Sequence, residues 1–245
     1  LVIALKRQGL SDRDVSSRTG VPVATIRTWR RRGIPGRTQT RDGCGECGAH
    51  HHDWAALPAA SYAYLLGVYL GDGYLVRWGN SWTLRVSLDS AYPGIVDECR
   101  AAAAAVAQAP VVVRPDRDGK ACVHVFSTWR SWPCAFPQHG RGRKHLRSIS
   151  LTDWQQGIVD AEPGAFVRGL IHTDGWRGVN RVRVKGREYE YPRYQFSNRS
   201  DDIRRLFCDA CDRLGVAWRP WTRFHVSVAR RDSVEILDRV VGPKC

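Results

Sequence analysis

Two carboxylates in this chain are set in matching surroundings. Asp72 closes the run LLGVYLGDG (65–73) and Asp174 closes VRGLIHTDG (167–175), and each is followed by glycine. Both runs are apolar and of helical character. Gly67 and Gly71 lie four residues apart in the first, and Gly169 and Thr173 share that spacing in the second. Small residues on one stripe let two helix backbones approach closely. Side by side, the helices would bring Asp72 and Asp174 together at their C-terminal ends, with Gly73 and Gly175 expected to supply the left-handed residue that ends each helix. Two like charges at the negative ends of two helix dipoles are costly without a partner. A hard divalent cation such as Mg2+ removes the problem by taking oxygen ligands from both. Such an ion can activate water and stabilise the leaving oxygen of a phosphodiester.

A second group has metal-ligand chemistry. Cys44 and Cys47 form a C-x2-C pair, followed by His50, His51, His52 and Asp53. Thiolate and imidazole suit tetrahedral Zn2+. The next cysteine is Cys99, so the second pair of a zinc knuckle is missing at its normal spacing, and a solvated polar linker is the competing reading. Cys208 and Cys211 form another C-x2-C, inside a helix whose stripe is Ile203, Leu206, Phe207, Ala210 and Leu214, and these read as core cysteines.

The charge balance narrows the partners. Net charge is +14 with a pI near 9.9, spread along the 245 residues. A field of that sign concentrates polyanions, nucleic acid first. No apolar run approaches the ~18 residues of a membrane span, and Lys6 and Arg7 interrupt the only early apolar stretch, so no signal-peptide pattern appears. A cytoplasmic, nucleoid-associated protein with reduced thiols is expected. There is no methionine, even at position 1. A non-AUG start or a trimmed end is therefore expected.

The elements that must position these groups follow from the pattern. Residues 1–36 read as three short helices: Ser11 caps the second, Gly20 breaks it and Pro22 starts the third. The spacing resembles a helix-turn-helix, which would present Arg27 and Thr28 to a major groove and Arg30, Arg31 and Arg32 to phosphates. A small helical cap with a basic end is the plainer alternative. Residues 37–60 read as a linker. From 61 the pattern helix–strand–strand–helix–strand–strand occurs twice, over 61–147 and 148–245, with a helix expected over 93–107 and turns at Gly79-Asn80 and Asp118-Gly119. RVSLDS in the first half matches QFSNRS in the second, each leading into a helix. Three strands alternate polar with apolar residues: Thr83, Arg85 and Ser87 against Leu84, Val86 and Leu88; Arg181, Arg183 and Lys185 against Val182 and Val184; Arg223, His225 and Ser227 against Phe224, Val226 and Val228. A sheet with one basic, open face suits phosphate contact and base readout.

The two helical runs resemble the LAGLIDADG motif of homing endonucleases. LLGVYLGDG matches at Gly67, Asp72 and Gly73. VRGLIHTDG matches at Gly169, Leu170, Ile171, Asp174 and Gly175 and departs at His172 and Thr173. The resemblance implies an α+β fold: an N-terminal all-α helix-turn-helix, then a pseudo-symmetric tandem αββαββ unit whose antiparallel sheets form a saddle on DNA. It implies Asp72 and Asp174 as metal ligands and Gln195 near the metal-bound water, with Arg85 at the equivalent place. It also implies a water-orienting lysine, for which Lys144 and Lys244 are candidates; phosphate contact competes for the cluster Arg141, Arg143, Lys144 and Arg147. A monomeric, metal-dependent endonuclease acting on double-stranded DNA is one implied function. A helix-turn-helix transcription regulator whose LAGLIDADG-like part binds but does not cut is the other. The acids in both motifs favour the first, and the appended helix-turn-helix and His172-Thr173 favour the second.

Overall fold

Ser11 and Gly20 punctuate the N-terminal segment as their chemistry dictates. Three helices, α1 (Val2–Arg7), α2 (Asp12–Thr19) and α3 (Val23–Arg32), follow one another. The Ser11 hydroxyl accepts the amide of Asp14, and Gly20 takes φ +70° to end α2. Pro22 stands one residue before α3 rather than within it, and its carbonyl accepts the amides of Thr25 and Ile26. Val15 and Ile26 are buried. Thr19, polar for its place, returns its hydroxyl to the Val15 carbonyl (2.6 Å) and accepts the Val21 amide. The structure is a computed structural model that describes residues 2–32, 44–48, 52–79 and 81–242. By contacts the chain divides into two units, Leu1–His51 and His52–Cys245.

The second unit carries the duplication. Its first repeat runs α4 (Ala59–Asp72), β1 (Gly73–Trp78), β2 (Ser81–Asp89), α5 (Pro93–Ala107), β3 (Val111–Pro115) and β4 (Cys122–Thr128). A short α6 (Trp132–Ala135) and then α7 (Asp153–Ala161) lead into the second repeat. That repeat runs α8 (Pro163–Asp174), β5 (Gly175–Val184), β6 (Arg187–Ser197), α9 (Asp201–Arg213), β7 (Arg219–Thr222) and β8 (His225–Val228), and α10 (Arg231–Val241) follows. The two four-stranded antiparallel sheets have the same order, β1-β2-β4-β3 and β5-β6-β8-β7. α7 and α10 were not expected; α10 is held by a stripe of Val234, Leu237 and Val241.

α4 and α8 are the central pair, and both are largely buried because each is apolar on most of its circumference. One core runs from Tyr62, Leu65 and Leu70 on α4 through Leu84, Val86 and Val125 to Phe166, Leu170, Tyr194 and Phe196. Cys208 and Cys211 lie inside it, as expected, and burial pushes the Cys208 thiol up to about 12. Among the described residues, no helix is long and apolar enough to cross a membrane.

Candidate metal site and nucleic-acid interface

The small residues of α4 and α8 set the site's geometry. A Cβ on Gly67 would stand 2.9 Å from the Leu170 amide nitrogen, and one on Gly71 would stand 2.6 Å from Thr173 Cβ. A Cβ on Gly169 would stand 2.9 Å from the Val68 amide nitrogen. The helices therefore cross in direct backbone contact and run out side by side. The place of a Cβ on Gly71 is 3.3 Å from Asp174 Oδ2, and Asp72 borders a cavity of about 180 Å3 with His172 and Thr173.

The two terminal glycines do a different job from the one expected. Gly73 (φ −90°, ψ 152°) and Gly175 (φ −105°, ψ 160°) are extended, not left-handed. Each chain leaves its helix straight into a strand and doubles back over the last turn. A Cβ would stand 2.6 Å from Tyr69 Cα in the first case and 2.6 Å from Ile171 Cα in the second. Glycine is required by close approach rather than by φ.

The end of α4 carries a cation supplied by the chain, within electrostatic reach of both acids. Lys144 opens a single 3-10 turn, Lys144–Leu146, and Arg147 just after it donates to the Gln138 carbonyl. Its ammonium donates to the last carbonyls of α4, those of Tyr69, Leu70 (3.1 Å) and Gly71 (3.0 Å). Burial pushes Lys144 down to about 8, against the upward pull of Asp174 and Asp72. A protonated lysine here offsets both the dipole and the like charges. It answers part of the electrostatic problem that the sequence reading gave to metal alone. The set of two carboxylates also fits a hard divalent cation, because every donor is oxygen.

A cavity of about 830 Å3 opens beside Asp174, bordered by Arg141, Arg143, Lys144, His145, Asn198 and Arg199 among others. Sequence reasoning missed Asn198, whose amide donates to Asp174 Oδ2 at 2.6 Å. The match of RVSLDS to QFSNRS held the signal, because it sets Asn198 against Leu88.

The sheets sort the basic side chains onto two faces. Residues directly opposite in a ladder point the same way. In repeat one, Leu84, Val86 and Val125 face the helices, so Thr83, Arg85 and Ser87 are on the open face, as expected. There Arg85 lies over the rings of Tyr74 and Phe126 and meets His124 Nε2 at 3.0 Å. Ser87 Oγ lies 3.0 Å from His124 Nδ1, and Asp116 Oδ2 lies 2.9 Å from Nε2.

In repeat two the expected face is reversed. Arg177 is opposite Tyr194, which is buried and donates to Asp238 of α10, so odd-numbered β5 residues share the helix side. Arg181 and Arg183 fall on that side, opposite Glu190 and Glu188, and Arg181 pairs with Glu190 at 2.8 Å. Val182 and Val184 are exposed on the other side. Lys185 is not in a strand: with φ +50°, beside Gly186 at +80°, it forms the two-residue turn. The open face instead carries Trp176, Asn180, Arg187, Tyr189, Tyr191, Arg193 and Gln195. Arg223 is likewise outside the strand, in the turn before β8, against the ring of Phe224. His225 and Ser227 keep their expected side, because Ser227 is opposite Gln195.

In the N-terminal unit Arg27 and Thr28 are exposed on α3. Arg27 Nε lies 3.9 Å from Asp12, and the Thr28 hydroxyl donates to the Ala24 carbonyl of its own helix (3.0 Å). The side chains of Arg30, Arg31 and Arg32 lie outside the described residues, as do His50, His51, Asn80 and Lys244. Cys44 and Cys47 flank a tight turn closed by the Gly48 amide to the Cys44 carbonyl (2.7 Å), and their sulfurs are within 4.8 Å of each other.

No protein-family profile and no curated protein matches this chain. Solved structures similar to it include the homing endonuclease I-DmoI in complex with DNA and Ca, 16% identical with a TM-score of 0.49 over 76% of this chain and 91% of that one. I-SmaMI bound to uncleaved DNA target in the presence of calcium ions is 8% identical, TM-score 0.47, over 74% and 84%. The LAGLIDADG meganuclease I-AabMI bound to uncleaved DNA is 10% identical, TM-score 0.47, over 73% and 82%.

Proposed function

We propose that this chain is a DNA-binding, metal-dependent endonuclease of the LAGLIDADG type that cuts both strands of a duplex in the cytoplasm. The observation that carries the reading is the pair Asp72 and Asp174, brought to the ends of two helices in backbone contact, with a sheet beside each. Asp72 and Asp174 would hold Mg2+ or a related divalent cation, which when bound supplies Lewis-acid activation of water and of the phosphodiester. Lys144 holds the end of α4 and adds positive charge where the phosphate approaches. Gln195, on the open face beside Trp176 and Ser227, would hydrogen-bond a water or a base edge. Arg85 and Arg193 on the sheets, and Arg141, Arg143 and Arg199 around the cavity, draw the backbone in by charge. Both half-sites come from one chain, so the active form is a monomer.

The N-terminal unit favours a second reading. Its three helices, with Arg27 exposed on the third, fit a helix-turn-helix that adds affinity, and a regulator that binds without cutting would use it equally. Cys44 and Cys47 supply two of the four ligands of a structural Zn2+ in this reading and in the first.

The discriminating experiment selects duplexes from a random pool in Ca2+ and moves the bound sequences to Mg2+. Cleavage that disappears in Asp72→Asn/Asp174→Asn supports the nuclease. Selective binding with no cleavage in Mg2+ or Mn2+ rejects it in favour of the regulator.

A further inference from the structure

The two halves of the candidate metal site are built alike in backbone and differently in side chain. Gly73 is opposite Val86, and Gly175 is opposite Phe196. Two residues further on, Leu88 and Asn198 therefore occupy the same place in the two repeats. Leu88 faces the core and has no group to donate. Asn198 donates from Nδ2 to Asp174 Oδ2 at 2.6 Å.

Asn198 is held from three other directions. Its Oδ1 accepts the Ser200 amide at 2.8 Å, its own amide donates to the Phe224 carbonyl at 3.0 Å, and its carbonyl accepts from Arg204. Because Oδ1 is taken by an N–H, the nitrogen is the atom that must face Asp174, so the direction of donation is fixed by the network. An amide so anchored restricts the carboxylate to one orientation. It occupies one lone pair of Oδ2. Groups of this kind behind a metal ligand change metal affinity about 10–100-fold when removed.

We propose that Asn198 is a positioning residue that pre-orients Asp174 for a divalent cation. The inference rests on the metal-site reading above.

The test is a titration of the full chain with Mn2+, followed by electron paramagnetic resonance, with Asp72→Asn/Asp174→Asn defining the signal that belongs to the acids. Asn198→Ser keeps a hydroxyl to accept the Ser200 amide but is too short to reach Asp174. The expected result is Mn2+ binding weakened about 10–100-fold in Asn198→Ser, with its thermal midpoint close to that of the parent. Asn198→Thr makes the same exchange of groups on a stiffer side chain, should weaken binding to a similar degree, and decides the matter if Asn198→Ser does not fold. Mn2+ affinities unchanged in both variants would overturn the positioning role while leaving the metal site intact. A parent protein with no Mn2+ signal dependent on Asp72 and Asp174 would overturn both.

Discussion

The carbonyl oxygen of Tyr64 lies against Gly169 so closely that a Cβ at that position would overlap it. The neighbouring obstacle is the Val68 amide nitrogen, so the clash is with backbone on both counts. Gly169→Ala is expected to destabilise by about 3 kcal/mol or more through overpacking, and Gly67→Ala by a similar amount. Gly157, exposed on α7 with nothing near its missing Cβ, gives the opposite sign. Gly157→Ala should stabilise by about 0.5–1 kcal/mol. Urea denaturation of the three variants decides whether the small residues of α4 and α8 serve contact or merely occur there.

Lys144 donates three hydrogen bonds to the end of α4, which makes it a structural cap as well as a candidate for catalysis. Lys144→Met keeps the aliphatic stem and removes the donors. It is expected to lose about 2–4 kcal/mol in metal-free buffer, because bonds from a charged donor are the stronger kind. Denaturation in EDTA checks this: an unchanged midpoint would confine Lys144 to a role on water.

Much of this architecture was legible in the sequence because it repeats. Asp72-Gly73 and Asp174-Gly175 mark two helix ends, and the stripe Gly67, Gly71, Gly169 and Thr173 announces their contact. α5 has its expected bounds because Pro93 starts it and its apolar residues follow a helical period. The face of β5 was not legible. RVRVK alternates cleanly, but alternation fixes only which residues share a side, and the choice of side is made by Tyr194 on the neighbouring strand. Distal to Pro192 the ribbon projects with both faces wet, so valine there carries no burial signal. Lys185 read as a strand residue because its turn uses only Lys185-Gly186, and the sequence there lacks the usual asparagine or aspartate. Asn198 needed the two repeats laid over each other, since nothing about a lone asparagine after a strand points to an acid.

The two faces of the β5–β6 ribbon give different expectations for DNA. Arg193 lies on the open face opposite Gly178, and Arg181 lies on the helix side paired with Glu190. Arg193→Ala should lower the slope of log affinity against log salt by about 0.9, the value for one lost phosphate contact. Arg181→Ala should leave that slope unchanged. Trp176→Ala should weaken binding at every salt concentration without changing the slope, because the contact it removes is apolar and releases no counterion. Fluorescence anisotropy on a selected duplex measures all three, and a larger salt effect at Arg181 would reverse the assignment of faces.

Asp238 ties α10 to the second sheet, accepting from Arg177 Nε (3.1 Å) and Nη2 (3.0 Å) and from the Tyr194 hydroxyl (2.6 Å). Arg177 first, and Tyr194 after it, hold the Asp238 carboxyl below the usual range, while burial opposes them. A carboxylate with a depressed folded pKa contributes stability that is fully present above its unfolded value, about 3.9. That stability is lost as pH falls through the folded value. Asp238 is partly exposed, so the contribution is about 1 kcal/mol after solvent screening. Asp238→Asn should lower the thermal midpoint by about 2–4 °C near pH 7, and the gap should close below about pH 4. A gap that persists at low pH would assign the effect to packing instead.

Cys44 and Cys47 hold their sulfurs within 4.8 Å across a turn that Gly48 closes at φ +71°. Two thiolates on one tetrahedral zinc stand about 3.8 Å apart, so this turn needs little adjustment to take the ion. Protein purified without chelator is expected to carry one Zn2+ per chain by mass spectrometry of the digested metal. Cys44→Ser or Cys47→Ser should lose it. Because the thiolates bind zinc only when deprotonated, the ion should also leave as pH falls below about 5. Zinc removal by chelator and dialysis should lower stability without abolishing the response of the second unit to Mn2+, since the proposed Mn2+ ligands Asp72 and Asp174 are carboxylates that zinc removal does not touch. Full retention of zinc in both serine variants would place the ion elsewhere and leave these two cysteines as plain turn residues.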